Sequence, residues 1–164
     1  MAKTANNRAL VLSVLDRLLD DDPDNTREAP ATAAQTMRDL KRAVRRDLEN
    51  LLNTRVRLLS WPASFTELNR SLVNYGLPDF TSANLASSKD REAFCRIIQA
   101  VVDQFEPRLT RIKVSPITAS EPLDRTFRFR IDAMLRTEPS PEPVVFDSNV
   151  EPATGDVKVR EAAR

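Results

Sequence analysis

The residues with the clearest chemical potential are a carboxylate and a guanidinium on either side of a proline: Glu106, Pro107 and Arg108. Pro107 removes a backbone donor and disfavours helical geometry at Glu106, so the two charged groups are held in fixed directions. One interpretation is a contact site for a partner protein, in which case alanine at 106 or 108 would abolish binding and leave the melting temperature almost unchanged. The other is that the two charges satisfy each other or nearby backbone groups where a helix ends.

Enzymatic chemistry is disfavoured by the residue types that the chain lacks. Histidine is absent, and Gly76 and Gly155 are the only glycines. The commonest general base and metal ligand are therefore missing, and no glycine-rich loop can cradle a phosphate. Cys95 has no histidine to activate it and is expected to be a packing residue. Glu106 is a poor candidate for a glycosidase acid, because Arg108 favours the ionised carboxylate.

We therefore predict a protein that is not an enzyme, with no catalytic residue, no metal site and no cofactor. The chain has 164 residues, 41% of them hydrophobic, and 25 Lys and Arg against 24 Asp and Glu give a formal net charge of +1. This size fits one compact domain plus an arm, and this charge balance does not favour a nucleic acid or an anionic lipid as partner. The sequence contains neither a signal-peptide pattern nor a long apolar run, which predicts a cytoplasmic protein without direct membrane insertion.

The N-terminal part of the sequence predicts a helix on a linker. Apolar residues recur at helical spacing over residues 7–20, with Asn6 or Asn7 as a possible cap. Residues 20–34 are acidic, contain two prolines and have no periodic apolar face, as is typical of a linker. We divide the chain into an N-terminal helix and acidic linker, 1–35, and a domain, 36–164. The helix could fold back onto this domain or dock on a partner, and the sequence leaves both open.

The domain itself reads as helices followed by strands. Helical spacing predicts one helix over residues 36–53 and another that begins at Ser87 or Ser88 and buries Phe94, Ile97, Ile98, Val101 and Phe105. After Pro107 the period changes to two, which predicts strands, the last two over 144–150 and 157–160. The fold class is therefore α+β, with a mostly antiparallel sheet of three to four strands. The final strand is expected at a sheet edge, where unpaired backbone groups could accept a strand from another protein.

Four sequence runs together resemble TssE, the baseplate wedge family of bacterial type VI secretion systems. They are Leu12-Ser13-Val14-Leu15-Asp16-Arg17-Leu18, Leu48-Glu49-Asn50-Leu51-Leu52-Asn53-Thr54-Arg55, Ser71-Leu72-Val73-Asn74-Tyr75-Gly76-Leu77-Pro78-Asp79 and Phe105-Glu106-Pro107-Arg108-Leu109. The family is related to a contractile-phage wedge subunit once labelled a lysozyme, and the resemblance extends over residues 10–159.

The resemblance implies a structural role in a contractile injection machine. Its implied partners are the wedge subunits TssF, TssG and TssK and the sheath proteins TssB and TssC, at a baseplate docked on the inner membrane. Glu106, Pro107 and Arg108 take the place of the family's Glu-Pro-Arg contact to the other wedge subunits. The strands that help to anchor or initiate the sheath fall here on Val144, Phe146, Val157 and Val159. A regulatory adaptor that binds one partner is the alternative, and a peptidoglycan hydrolase is a remote one.

Overall fold

The computed structural model describes residues 12–19, 32–56, 61–62, 64–80, 87–117, 126–138, 140–151 and 154–162. Three α-helices precede the strands: α1 (Val14–Leu18), α2 (Ala33–Asn53) and α3 (Ser88–Phe105). Two short 3₁₀ helices, Thr66–Arg70 and Leu72–Asn74, lie between α2 and α3. The strands are β1 (Leu109–Ile117), β2 (Phe127–Leu135), β3 (Glu142–Val150) and β4 (Val157–Glu161). This order confirms the predicted α+β class.

The four strands form an antiparallel meander in which each strand pairs with its neighbour along the sequence, in the order β1-β2-β3-β4. The register of β1 shifts between Thr110 and Lys113, and Arg111 adopts a positive φ of 52° at this bulge. The β3–β4 turn includes Gly155 in the left-handed region, with φ of 74°. Pro152 and Ala153, between these two strands in the sequence, lie outside the described residues.

One face of the sheet forms the core together with α2 and α3. Strand alternation turns Phe129, Ile131 and Phe146 inward, where they are fully buried. The apolar residues Leu40, Val44, Leu48, Leu51 and Leu52 of α2 are buried as well, and α2 begins three residues before the predicted start. Thr32 and Gln35 explain the earlier start, because they form a reciprocal capping box that satisfies backbone donors of the first turn.

The buried face of α3 differs from the predicted one at several positions. Phe94 and Ile98 are buried as predicted, but Ile97 is exposed, Val101 and Phe105 are only partly buried, and Val102 is buried instead. Cys95 is also buried, and this burial, with a smaller contribution from the charge of Glu92, raises its thiol pKa to about 11. Cys95 is thus a packing residue and a poor nucleophile.

The described part of the N-terminal region contains a shorter helix than predicted. Ser13 caps α1 by accepting a hydrogen bond from the backbone N–H of Asp16, and Leu19 is already extended. The predicted caps Asn6 and Asn7, and most of the predicted linker, lie outside the described residues. In the part of the chain that the structure describes, no helix combines the length and apolar composition needed to cross a membrane.

The Tyr75-Gly76-Leu77 segment docks on the end of α2 through the backbone. Leu77 donates to the carbonyl of Thr54 at 2.9 Å and accepts from the N–H of Val56 at 2.9 Å. Gly76 adopts a φ of +116°, and a Cβ atom built there would lie 2.4 Å from the carbonyl oxygen of Thr54. The structure therefore explains why glycine occurs at position 76 of this TssE-like run, because only glycine permits the close approach of the backbone to the Thr54 carbonyl.

Candidate partner-binding site

The end of α3 places Glu106 inside the protein. Its backbone N–H closes the helix on the carbonyl of Val102 at 2.9 Å, and its own carbonyl accepts from the N–H of Leu109 at 3.0 Å. The turn between these two bonds contains Pro107, which is exposed. Glu106 is only 5% exposed, which is uncommon for a glutamate unless it is paired.

Arg108 provides that pairing through both oxygens of the carboxylate. Its Nε donates to Oε1 of Glu106 and its Nη2 to Oε2, each at 2.6 Å. Nη2 also donates to Oδ2 of Asp47 on α2 at 2.6 Å. Hydrogen bonding to Glu106 raises the pKa of the Arg108 guanidinium, with Asp47 adding to the effect. The guanidinium is therefore fixed by carboxylates from two parts of the chain.

The ion pairs continue from Asp47 to the N-terminal helix. Arg46 donates from Nε and Nη2 to Oδ1 of Asp47 at 3.1 and 3.0 Å, and from Nη2 to Oδ1 of Asp16 at 2.7 Å. We call this chain of alternating charges the corner network. Its members are Asp16, Arg46, Asp47, Arg108 and Glu106.

Two aromatic side chains pack beside the network. The rings of Tyr75 and Phe105 meet edge to face with centroids 5.3 Å apart. Burial raises the pKa of Tyr75, and the negative charges of Asp47 and Glu106 add to that shift. Tyr75 thus remains a neutral phenol at the wall of the site.

This geometry shows that Glu106 and Arg108 pair with each other, as the second interpretation of the sequence expected. It leaves the binding role of Glu106, Pro107 and Arg108 a prediction. Glu106 is too buried to reach a partner, whereas Pro107 is exposed and Arg108 is partly exposed. Any partner would therefore contact Pro107 and Arg108, and Glu106 would orient the guanidinium from behind.

The strand residues predicted to face a sheath have inward side chains. Val144, Phe146, Val157 and Val159 are all buried in the core. Their role in sheath contact stays a prediction, but their side chains cannot supply the contact. The strands could offer only their backbone edge or the exposed residues that alternate with these four, such as Lys158 and Arg160.

The prediction of an edge with unpaired backbone groups is wrong for part of β4. The strand does lie at the edge of the sheet, but the side-chain amide of Asn53 at the end of α2 bonds both backbone groups of Val157. Asn53 Nδ2 donates to the Val157 carbonyl, and the Val157 N–H donates to Asn53 Oδ1, both at 2.8 Å. Arg45 Nη1 also donates to the Val159 carbonyl at 3.3 Å. Side chains of α2 thus occupy positions that an added strand would need.

We expect Asn53→Ala to lower the free energy of unfolding by about 1–2 kcal/mol, because both backbone groups of Val157 lose their hydrogen bonds to the Asn53 amide. The variant should also associate with itself as its concentration rises, since the edge of β4 is opened. Sedimentation velocity over a concentration series measures this. Asn50→Ala, an exposed change on the same helix, should stay unchanged in both respects. If Asn53→Ala remains as monomeric as Asn50→Ala at all concentrations, the amide does not protect the edge.

Two observations on the described residues concern the chemistry that this site could do. Among them, no group of three or more Cys, Asp or Glu side chains is placed to hold a metal ion. Glu106 is held by both of its oxygens to a single guanidinium. The hydrogen bonds at the corner therefore hold the carboxylate of Glu106 and the guanidinium of Arg108 in fixed positions.

A family model described as baseplate wedge protein gp25 matches residues 38–140, which include most of α2 and all of α3, the Glu106–Arg108 corner, β1 and β2. The chain belongs to this family. The resemblance inferred from the sequence runs is thereby confirmed, and membership of the gp25 family supports a structural role in a baseplate.

A curated relative of this gp25-family chain is the anti-adapter protein IraD from Salmonella paratyphi A, which is 29% identical over 70 residues. The match covers 43% of the present chain and 53% of IraD, so the chain spans about half the length of this relative.

Sequence reasoning identified the corner but missed the residues that complete it. The structure adds Asp47 and Arg46 of α2 and Asp16 of α1 to the corner. Asn53 had not been singled out at all. The sequence signal for Arg46 and Asp47 is limited to two neighbouring opposite charges between the apolar positions of α2. No sequence pattern indicated that Asp47 meets Arg108, 61 positions away, or that Arg46 meets Asp16, 30 positions away.

Proposed function

We propose that the chain is a wedge subunit of a type VI secretion baseplate, equivalent to TssE. It joins the wedge proteins TssF, TssG and TssK through the Glu106–Pro107–Arg108 corner and helps to anchor the sheath proteins TssB and TssC. The observation that carries this proposal is the gp25-family match, which includes the corner. A structural subunit of this kind works in the bacterial cytoplasm at a baseplate docked on the inner membrane, and it needs no cofactor.

The corner suits this role because its charged group is positioned before a partner arrives. Two bonds from Glu106 and one from Asp47 fix the Arg108 fork. A fixed side chain loses little conformational freedom on binding, so more of its interaction energy contributes to affinity. Pro107 adds an exposed, rigid apolar surface next to it.

The sheath contact is proposed for the β3–β4 hairpin, which contains Val144, Phe146, Val157 and Val159. Their buried side chains hold the hairpin on α2 and the rest of the core. A sheath strand could then add at the part of the β4 edge beyond Val157, or displace Asn53 from it.

The proposed division of the chain into residues 1–35 and 36–164 needs one adjustment for experiments. A truncated domain should begin at Thr32, because Thr32 and Gln35 cap α2.

We predict that Arg108→Lys reduces affinity for the wedge subunits about tenfold or more, while the melting temperature stays within a few degrees of the parent. Lysine keeps the positive charge beside Glu106 and Asp47 but loses the planar fork. The measurement is co-purification of the full chain with co-expressed TssF, TssG and TssK, followed by titration. Arg130→Lys, at an ion pair on the exposed face of β2, is the matched control. Equal binding by both variants would exclude Arg108 as a contact.

The second candidate function is a regulatory adaptor that binds a single target, and the similarity to the anti-adapter protein IraD favours it. The two functions differ in stoichiometry. A baseplate subunit should co-purify with several wedge proteins in a fixed ratio, whereas an adaptor should co-purify with one target. For either function we expect no hydrolysis of peptidoglycan, since Glu106 is committed to Arg108.

A further inference from the structure

Strand β1 is the other edge strand of the sheet, and α3 bonds its backbone as α2 bonds that of β4. Oε1 of the exposed Gln99 on α3 accepts a hydrogen bond from the backbone N–H of Val114 at 3.2 Å. Val114 lies opposite Ile131 of β2 in the register. Because its N–H bonds α3 and not β2, Val114 is a position whose backbone groups face away from the sheet.

Pro116 occupies the next outward-facing position of β1. Backbone groups alternate between inward and outward along an antiparallel strand, and the register runs without a break from Lys113 to Ile117. Pro116 is two positions beyond Val114, so the N–H that proline lacks is missing on the open edge. Proline occurs in sheets at such edges because it cannot donate to a neighbouring strand.

The beginning of β1 is protected by its bulge. The register shifts between Thr110 and Lys113, and Arg111 adopts a φ of 52° there. A bulge increases the local twist and turns the edge away from the plane in which a straight strand could add. Between Lys113 and Ile117 the outward edge of β1 therefore offers carbonyl acceptors but no unoccupied N–H donor.

The β4 edge is covered less completely. Its outward-facing positions are Val157, Val159 and Glu161. Asn53 bonds both backbone groups of Val157, and Arg45 bonds the carbonyl of Val159. In the described part of the chain, no side chain bonds the N–H of Val159 or either backbone group of Glu161. Beyond Val157, β4 thus keeps donors as well as acceptors for an added strand.

We propose that Gln99, Pro116 and the bulge close the β1 edge, so that this sheet can be extended only at β4, and that the added strand is an extended segment of a sheath protein. This inference rests on the proposed function and gives the sheath contact a direction. An array built by strand addition continues through subunits whose sheets are open at both edges. A subunit with one open edge receives a strand but cannot stand between two others, so it is a starting member of the array.

The first experiment opens the β1 edge and measures self-association by sedimentation velocity over a concentration series. Gln99→Ala combined with Pro116→Val provides two outward donors, so this double variant should self-associate at least about tenfold more strongly than the parent. Gln99→Ala alone frees one donor without changing the sheet and should have an intermediate effect. Arg96→Gln, an exposed change on the same helix, is the matched control. If both edge variants stay as monomeric as Arg96→Gln, the inference is overturned.

Pyrene labels show which edge forms the contact. Lys113→Cys on β1 and Lys158→Cys on β4 each provide an exposed labelling position. The buried Cys95 reacts slowly, because its thiol pKa is about 11. In the double variant, excimer emission is expected from the label on β1 and not from the label on β4. Emission from the β4 label alone would mean that association uses β4, and the proposed closure of β1 would be wrong.

Amide hydrogen exchange of the parent with co-expressed TssB and TssC tests the direction of the sheath contact. A bound strand should protect the N–H groups of Val159 and Glu161 and leave exchange in β1 unchanged. Protection that rises in β1 instead overturns the inference but leaves the proposed sheath contact standing. If the parent does not bind TssB and TssC, the sheath contact and its direction both fail, and self-association of the double variant decides by itself whether β1 is closed.

Discussion

Glu106→Ala is expected to lower the melting temperature by about 6–20 °C, a larger effect than any exposed charge substitution should produce. Removing one member of a buried ion pair costs about 3–5 kcal/mol when the other charge is left unpaired, and the lower end of this range applies when that charge keeps a second partner. For a chain of this size, about 1 kcal/mol corresponds to about 2–4 °C. Glu106 is buried at the end of α3 and bonds Arg108 through both oxygens. Alanine would leave Arg108 with Asp47 as its remaining partner at this site.

A thermal melt of the full chain measures the effect, and two further variants interpret it. Glu106→Gln keeps one acceptor oxygen and should fall between the parent and the alanine variant. Asp147→Asn removes a carboxylate from the exposed pair with Arg130 and should melt like the parent. An alanine variant that melts like Asp147→Asn would show that the Glu106–Arg108 pair does not support the fold. The sequence alone predicted that unchanged melting temperature, and the burial of Glu106 reverses this expectation.

Gly76→Ala is expected to lower the free energy of unfolding by about 2–5 kcal/mol, through backbone strain and overpacking together. The φ of +116° at Gly76 lies where side chains are strained, and the added methyl group would meet the backbone carbonyl of Thr54 at 2.4 Å. A carbonyl at the end of α2 cannot rotate away as a flexible side chain could. The bonds that join Leu77 to Thr54 and Val56 should break or lengthen as a result.

Chemical denaturation of the full chain tests this, with a matched change at the other left-handed glycine. Gly155 has a φ of 74°, a region that asparagine adopts readily, so Gly155→Asn should cost less than Gly76→Ala. Amide hydrogen exchange at Leu77 gives a local measurement, and its protection should fall in the Gly76 variant. Similar losses for the two variants would mean that the close approach of Thr54 has no energetic consequence.

Most of the fold was predictable because it depends on local periodicity. The helical spacing of Leu40, Val44 and Leu48 and the alternation of Phe127, Phe129 and Ile131 identify the buried faces of α2 and β2 directly. The exposure of Ile97 was not predictable in the same way. Spacing of three and four residues defines a broad stripe, and the sheet that packs on α3 decides which edge of that stripe is covered.

The sequence predicted where the corner lies in the chain but not which residues it contacts in the fold. Pro107 marks where α3 must end, and the neighbouring charges indicate polar chemistry there. The surroundings of Glu106 include Asp47, which accepts a hydrogen bond from Arg108, and Tyr75, whose ring packs on Phe105, and both come from other parts of the chain. Ion pairs between distant residues produce no periodic pattern in the sequence, so the pairing of Asp16 with Arg46 could not be predicted from it.

The protected edge of β4 has a consequence for the order of events in folding. Each strand of the meander pairs with its sequence neighbour, so the sheet can form from local contacts. The bonds that cover its last edge join residues 104 and 114 positions apart, from Asn53 to Val157 and from Arg45 to Val159. Contacts between distant residues form slowly, since a long loop must close first. A chain that refolds from the unfolded state would therefore expose the edge of β4 until α2 docks, and that interval is when a chaperone or a partner strand has access to this edge.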